Sequence, residues 1–170
     1  MEKGFQIIWD LPTRLTHWAL ALCVTFNLFI VEEGEVAHEW LGYTAVGLVV
    51  FRFIWGFIGS PASRFTSFNI SPKSVWSYVR NKLSPVVPLI GHNPLACLVY
   101  IGIWILIIGL GVTGFMAGLD AFWGNQTLED VHSIFSEILQ ILILIHLLGL
   151  TLDGVRKKKH SWLSMITGKK

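Results

Sequence analysis

Four long apolar runs alternate with polar stretches along this chain of 170 residues. Window by window they fall at about 15–31, 39–58, 95–119 and 131–153. Each approaches the roughly 20 residues an α-helix needs to cross a bilayer. The pattern predicts an all-α membrane protein, a bundle of four transmembrane helices forming one domain over 1–170. The second and third runs are joined by a polar, proline-bearing loop over 59–93. Inside it Val75, Trp76, Val79 and Leu83 recur at helical spacing. They predict a short amphipathic helix over 74–83 that lies on the membrane surface.

Composition agrees with this class. The chain is 53% hydrophobic and 14% charged, with a mean hydropathy of +0.60. A soluble domain of this size carries more charge and fewer long apolar runs. The net charge of +2 is small, and no nucleic-acid partner is expected. Cys23 and Cys97 lie in separate apolar runs and read as small buried hydrophobes, with no disulfide or metal framework. The first run lacks a small-residue cleavage site and reads as a retained span.

The charges that flank the runs set an orientation. Lys3 and Arg14 precede the first; Arg64, Lys73, Arg80 and Lys82 lie in the central loop; Arg156, Lys157, Lys158, Lys159, Lys169 and Lys170 follow the fourth. The connections 32–37 and 120–130 hold no Lys or Arg, but carry Glu32, Glu33, Glu35, Asp120, Glu129 and Asp130. The positive-inside rule then makes both termini and the long loop cytoplasmic. Trp9, Trp18, Trp40, Trp55, Trp123 and Trp162 lie near span ends, as in an interfacial belt.

Within these runs the histidines stand out. His132 and His146 are fourteen residues apart in one apolar run. Fourteen residues is close to four helical turns, so both rings point from one face, roughly 21 Å apart along the axis. His17 begins a run that starts at the cytoplasmic side, and His146 is late in a run that ends there. His38 and His132 both begin runs that start at the outer side. Antiparallel helices therefore pair His17 with His146 and His38 with His132. Ionisable groups inside a bilayer are costly, and four at two matched depths call for a function. Two imidazoles from facing helices suit the axial positions of a haem iron, because the porphyrin supplies the other four ligands. Zinc or copper more often recruits cysteine or carboxylate as well.

Further residues support this site. Arg52 lies fourteen residues after His38, inside a span at the depth of the other pair. It is a candidate for the propionates of the cytoplasmic haem; the alternative is an arginine that snorkels to the surface. Gly42, one turn from His38, and Gly102, Gly109, Gly111 and Gly114 in the third run would admit a flat macrocycle; equally, glycines serve plain helix packing in membranes. His92 precedes Pro94 at the start of the third run, and His160 in the basic tail reads as solvated.

The segments Trp9-Asp10-x-Pro12-x-Arg14-x-x-His17-Trp18, His38-x-x-x-Gly42 with Arg52, Gly91-His92-Asn93-Pro94-Leu95, and His132 with His146 resemble the bacterial cytochrome b561 family. That family is related to the cytochrome b subunits of nickel–iron hydrogenases and formate dehydrogenases. The resemblance covers nearly the whole chain. It implies a multi-pass protein of the bacterial inner membrane holding two haem b groups, on the same two histidine pairs that depth matching yields. The absence of a fifth span favours the stand-alone type.

The expected function is transmembrane electron transfer between membrane quinone or quinol and a periplasmic redox partner such as a c-type cytochrome. The outer acids would dock a basic partner; equally, they follow from topology alone. The candidates for a quinone site are Arg14, Arg52 and His92 on the cytoplasmic side, or Glu39, Glu129 and Glu137 on the outer side. Alternatives are a haem-bearing membrane anchor of a larger dehydrogenase or hydrogenase, a superoxide:quinone oxidoreductase, and a haem-free transporter or metal-binding bundle. Whether the chain is an enzyme or an electron carrier stays open at this point.

Overall fold

The computed structural model describes residues 9–61, 63–68, 70–80, 94–157 and 163–168. Six α-helices lie among them: α1 (Leu11–Phe29), α2 (Val36–Ile58), α3 (Pro72–Arg80), α4 (Pro94–Ala117), α5 (Gln126–Lys157) and α6 (Leu163–Thr167). No strand occurs among the described residues. His92, Leu83, His160 and Trp162 lie outside them.

The helix boundaries follow local chemistry. Asp10 caps α1, its carboxylate accepting from the Thr13 amide at 3.1 Å, and Pro12 stands in the first turn where no amide is needed. Gly34, at φ 82°, turns the chain between α1 and α2. Asn125 Oδ1 accepts from the Leu128 amide at 3.1 Å. This cap starts α5 at Gln126, five residues before the apolar run begins. Ser71 Oγ accepts from the Ser74 amide at the start of α3.

Helices α2, α4 and α5 are long and apolar enough to cross a membrane. Helix α1 occupies the place of the first expected span but has 19 residues and does not reach the same apolar level, because Arg14, His17 and Asn27 interrupt it. The large side chains that α2, α4 and α5 leave exposed, such as Phe57, Ile105 and Leu144, are what a lipid-facing surface requires.

Helix α1 packs on α2, α2 on α4, and α4 on α5. One buried layer, Ala45, Val49, Ile107 and Leu139, joins α2, α4 and α5 at mid-height. Close approach is secured by glycine on α4. A Cβ at Gly109 would lie 2.8 Å from the Phe135 ring, and one at Gly111 would lie 2.4 Å from Val46 Cγ2. At Gly102 the neighbour is Leu142, at 2.9 Å. The space beside these glycines is thus filled by side chains of α2 and α5. They serve helix packing, where lipid offers no hydrophobic drive and van der Waals fit must hold the bundle together.

One polar clamp ties the ends of α1 and α2. The Asp10 carboxylate also accepts from Trp55 Nε1 at 2.9 Å and from the Ser60 amide at 3.4 Å. Trp55 is therefore a structural donor as well as an aromatic near a span end. Burial pushes the Asp10 carboxyl up, but the hydrogen bonds from Thr13, Trp55 and Ser60 outweigh it and hold the group well below the usual carboxylate range. Helix α6 docks on α1: Trp18 Nε1 donates to the Met165 carbonyl at 3.2 Å, and the Arg14 guanidinium donates to the Ile166 carbonyl.

Replacing Asp10 with alanine removes three acceptor contacts, one of them the helix cap. It should lower stability by about 1–3 kcal/mol at pH 7. A carboxyl depressed in the folded state stabilises above its unfolded pKa of about 3.9, and that stability is lost as pH falls toward the folded value. Thermal unfolding in detergent at pH 7 and pH 3 should show the gap between wild type and Asp10→Ala narrowing at the lower pH.

Candidate cofactor site

The fold brings four histidines together in two pairs. The rings of His17 on α1 and His146 on α5 have centroids 6.4 Å apart, tilted by 57°. Those of His38 on α2 and His132 on α5 are 6.3 Å apart, tilted by 53°. Both α5 histidines project from one face because their spacing is two heptads. Leu139 lies midway between them on that face and is buried in the central layer. An apolar plug thus separates the two levels.

Neither α1 nor α2 packs closely on α5. The histidines reach across from both sides, and each ring is only partly buried. His17 Nδ1 and His38 Nδ1 are nonetheless buried atoms without a hydrogen-bond partner. Such atoms are costly to leave unpaired. His132 differs: its Nδ1 lies 2.8 Å from Thr113 Oγ1.

Aromatic rings and a cation surround the His17–His146 level. Trp18 stands edge-on to His17 at 5.3 Å, and Tyr100 edge-on to His146 at 5.5 Å. Arg52 is 6% exposed, so it does not snorkel to the surface. Its NH2 donates to the Ser63 carbonyl at 3.0 Å. Its guanidinium carbon lies 5.8 Å from the Phe65 ring centre and 5.5 Å from that of Trp104. Ser63 Oγ in turn accepts from Thr13 Oγ1 at 3.0 Å, one helical turn before His17. Arg52 therefore belongs to this level. Its NH1 is buried and has no partner.

The other singled-out residues are scattered. A Cβ at Gly42 would meet only the Asn27 amide, at 3.6 Å, so this glycine faces α1. Arg14 is turned toward α6, with its Nε buried and unpartnered. Glu137 is exposed; five residues past His132, it is rotated about 140° from the histidine face. His92 is outside the described residues. Thr13, Ser63 and Thr113 had not been singled out. An isolated threonine or serine beside an apolar run is too common in membrane helices to be a signal on its own.

The family model described as prokaryotic cytochrome b561 matches residues 8–168. The chain belongs to this family. No curated protein and no solved structure matches it. Membership makes the chain a membrane cytochrome of b-type haem that carries electrons across the bilayer. The residues of this b561 cytochrome fit such a group. An iron held between two imidazoles at about 2 Å from each nitrogen spaces the ring centres roughly 6.3 Å apart. Both pairs have that spacing.

Proposed function

We propose that this b561 cytochrome holds two haem b groups, one on His17 and His146 and one on His38 and His132, and passes electrons between membrane quinone and a redox protein at the outer face. The ring separations of 6.4 and 6.3 Å carry this reading. In it α1 is a fourth span, with Arg14 and His17 near its cytoplasmic end and both termini cytoplasmic. When bound, haem supplies one-electron iron chemistry. The protein's part is to ligate, orient, insulate and set charge.

Each residue has a task in that division. The four histidines hold the iron by paired imidazoles on α5 and its two facing helices. Leu139, with Ala45, Val49 and Ile107, keeps the layer between the two levels dry and apolar. Arg52 directs its unpaired NH1 to a haem propionate at the cytoplasmic level, held in aim by Ser63, Phe65 and Trp104. A buried guanidinium with a free donor favours a carboxylate strongly. Of the quinone candidates, Arg14 offers a buried, unpartnered Nε at the same level. The acids of 32–39 and 120–130 provide a negative face for a basic periplasmic protein such as a c-type cytochrome.

Purified protein should carry two low-spin b-type haems per chain, read by haem quantification and a reduced-minus-oxidised spectrum. His146→Ala should lose the cytoplasmic haem and keep most of the outer one; His132→Ala should do the reverse. Folded His132→Ala protein that retains both haems would remove the ligand assignment. Arg52→Gln takes a positive charge from beside one haem and so favours its ferric form. The midpoint potential of that haem alone should fall, by about 59 mV for a tenfold change in its oxidised-to-reduced ratio. Redox titration of the two haems checks this.

A further inference from the structure

The two levels are not chemically equivalent. Of the four histidines, His132 alone has a hydrogen-bond partner on its side chain among the described residues. Thr113 Oγ1 sits 2.8 Å from His132 Nδ1, and also 2.9 Å from the Gly109 carbonyl and 3.2 Å from the Leu110 carbonyl of its own helix. A hydroxyl has one proton to give. With Nε2 as the ligand atom the neutral ring carries its proton on Nδ1, so the Thr113 oxygen accepts from it and the hydroxyl proton goes to a carbonyl of the preceding turn.

The surrounding backbone is shaped for this contact. Gly114, the next residue, would place a Cβ 3.4 Å from His132 Cε1 and 3.9 Å from Nδ1, so glycine leaves the ring room against α4. Gly109, whose carbonyl takes the Thr113 proton, is covered by Phe135, one turn beyond His132. Thr113 itself is 7% exposed, so water does not compete for its oxygen. An imidazole that donates its second N–H to a fixed acceptor is a more basic ligand with a fixed ring orientation.

We infer that Thr113 is a positioning residue for His132, fixing its tautomer and making the outer haem the one with the more electron-rich axial ligand. The inference rests on the reading of His132 as an axial ligand. Thr113 acts through the ring. A more electron-rich ligand favours ferric iron, so removing the acceptor should raise the potential of the outer haem.

The test is redox titration of the two-haem protein, with the outer haem identified as the one missing from His132→Ala. Thr113→Val keeps the volume and removes the hydroxyl; Thr113→Ser keeps the hydroxyl. In Thr113→Val the outer potential should rise by up to about 59 mV, a tenfold change in the ratio of its two forms. Thr113→Ser should stay near wild type, and the inner haem should not move in either. If Thr113→Val does not accumulate, Thr113→Ala replaces it against Thr113→Ser with the same two expectations. An outer potential that does not rise, a serine variant that shifts like the valine one, or equal shifts of both haems would overturn the inference. If His132→Ala removes the outer haem and Thr113→Val moves nothing, this inference alone fails; if His132→Ala keeps both haems, the ligand reading beneath it fails.

Discussion

One face of α5 organises the bundle. His132, Leu139 and His146 recur on it every seven residues, so a straight helix presents a histidine, an apolar plug and a second histidine in line. A helix rises about 1.5 Å per residue, and the two rings are therefore held roughly 21 Å apart by covalent geometry alone. The remaining helices must meet that ruler. Helix α1 meets it with His17 and α2 meets it with His38, entering from opposite ends, and Ala45 and Val49 close the layer around Leu139. A shift of one residue along any of these helices would turn a histidine about 100° away from its partner.

The bundle achieves this alignment with few polar contacts, because each buried polar group in lipid must find a partner. They are concentrated where α1 begins and α2 ends. Asp10 gathers donors from Thr13, Trp55 and Ser60, and Thr13 reaches Ser63, which holds Arg52. The same short stretch therefore sets the height of α1 and aims the buried cation. Helix capping and the position of His17 are linked here, since His17 lies one turn beyond Thr13.

Helix α4 has a different role. It contributes no residue to either histidine pair, yet it contacts α2, α3 and α5. Its glycines let Phe135 and Val46 lie against its backbone, and that proximity brings Thr113 within hydrogen-bond distance of His132. Packing that looks generic in composition thereby sets the environment of one ring. At the other level the partners of the rings are aromatic edges, Trp18 and Tyr100, so two similar histidine pairs sit in unlike surroundings.

What the chain alone determined was carried by periodicity. Apolar runs located the helices to within a few residues, and the spacing 132, 146 together with 17 and 38 placed the histidines at two depths before any fold was known. The start of α5 was missed because Asn125 caps a polar turn that hydropathy does not register. The packing role of Gly109 and Gly111 was undecided, since a glycine carries no sign of what fills the space beside it. The Asp10–Trp55 clamp, the burial of Arg52 and the Thr113–His132 contact were decided only by the tertiary structure. Each joins residues 19 to 50 positions apart or depends on which helix face meets which neighbour. Spacing along one helix fixes direction and height; it does not say which side chain stands opposite.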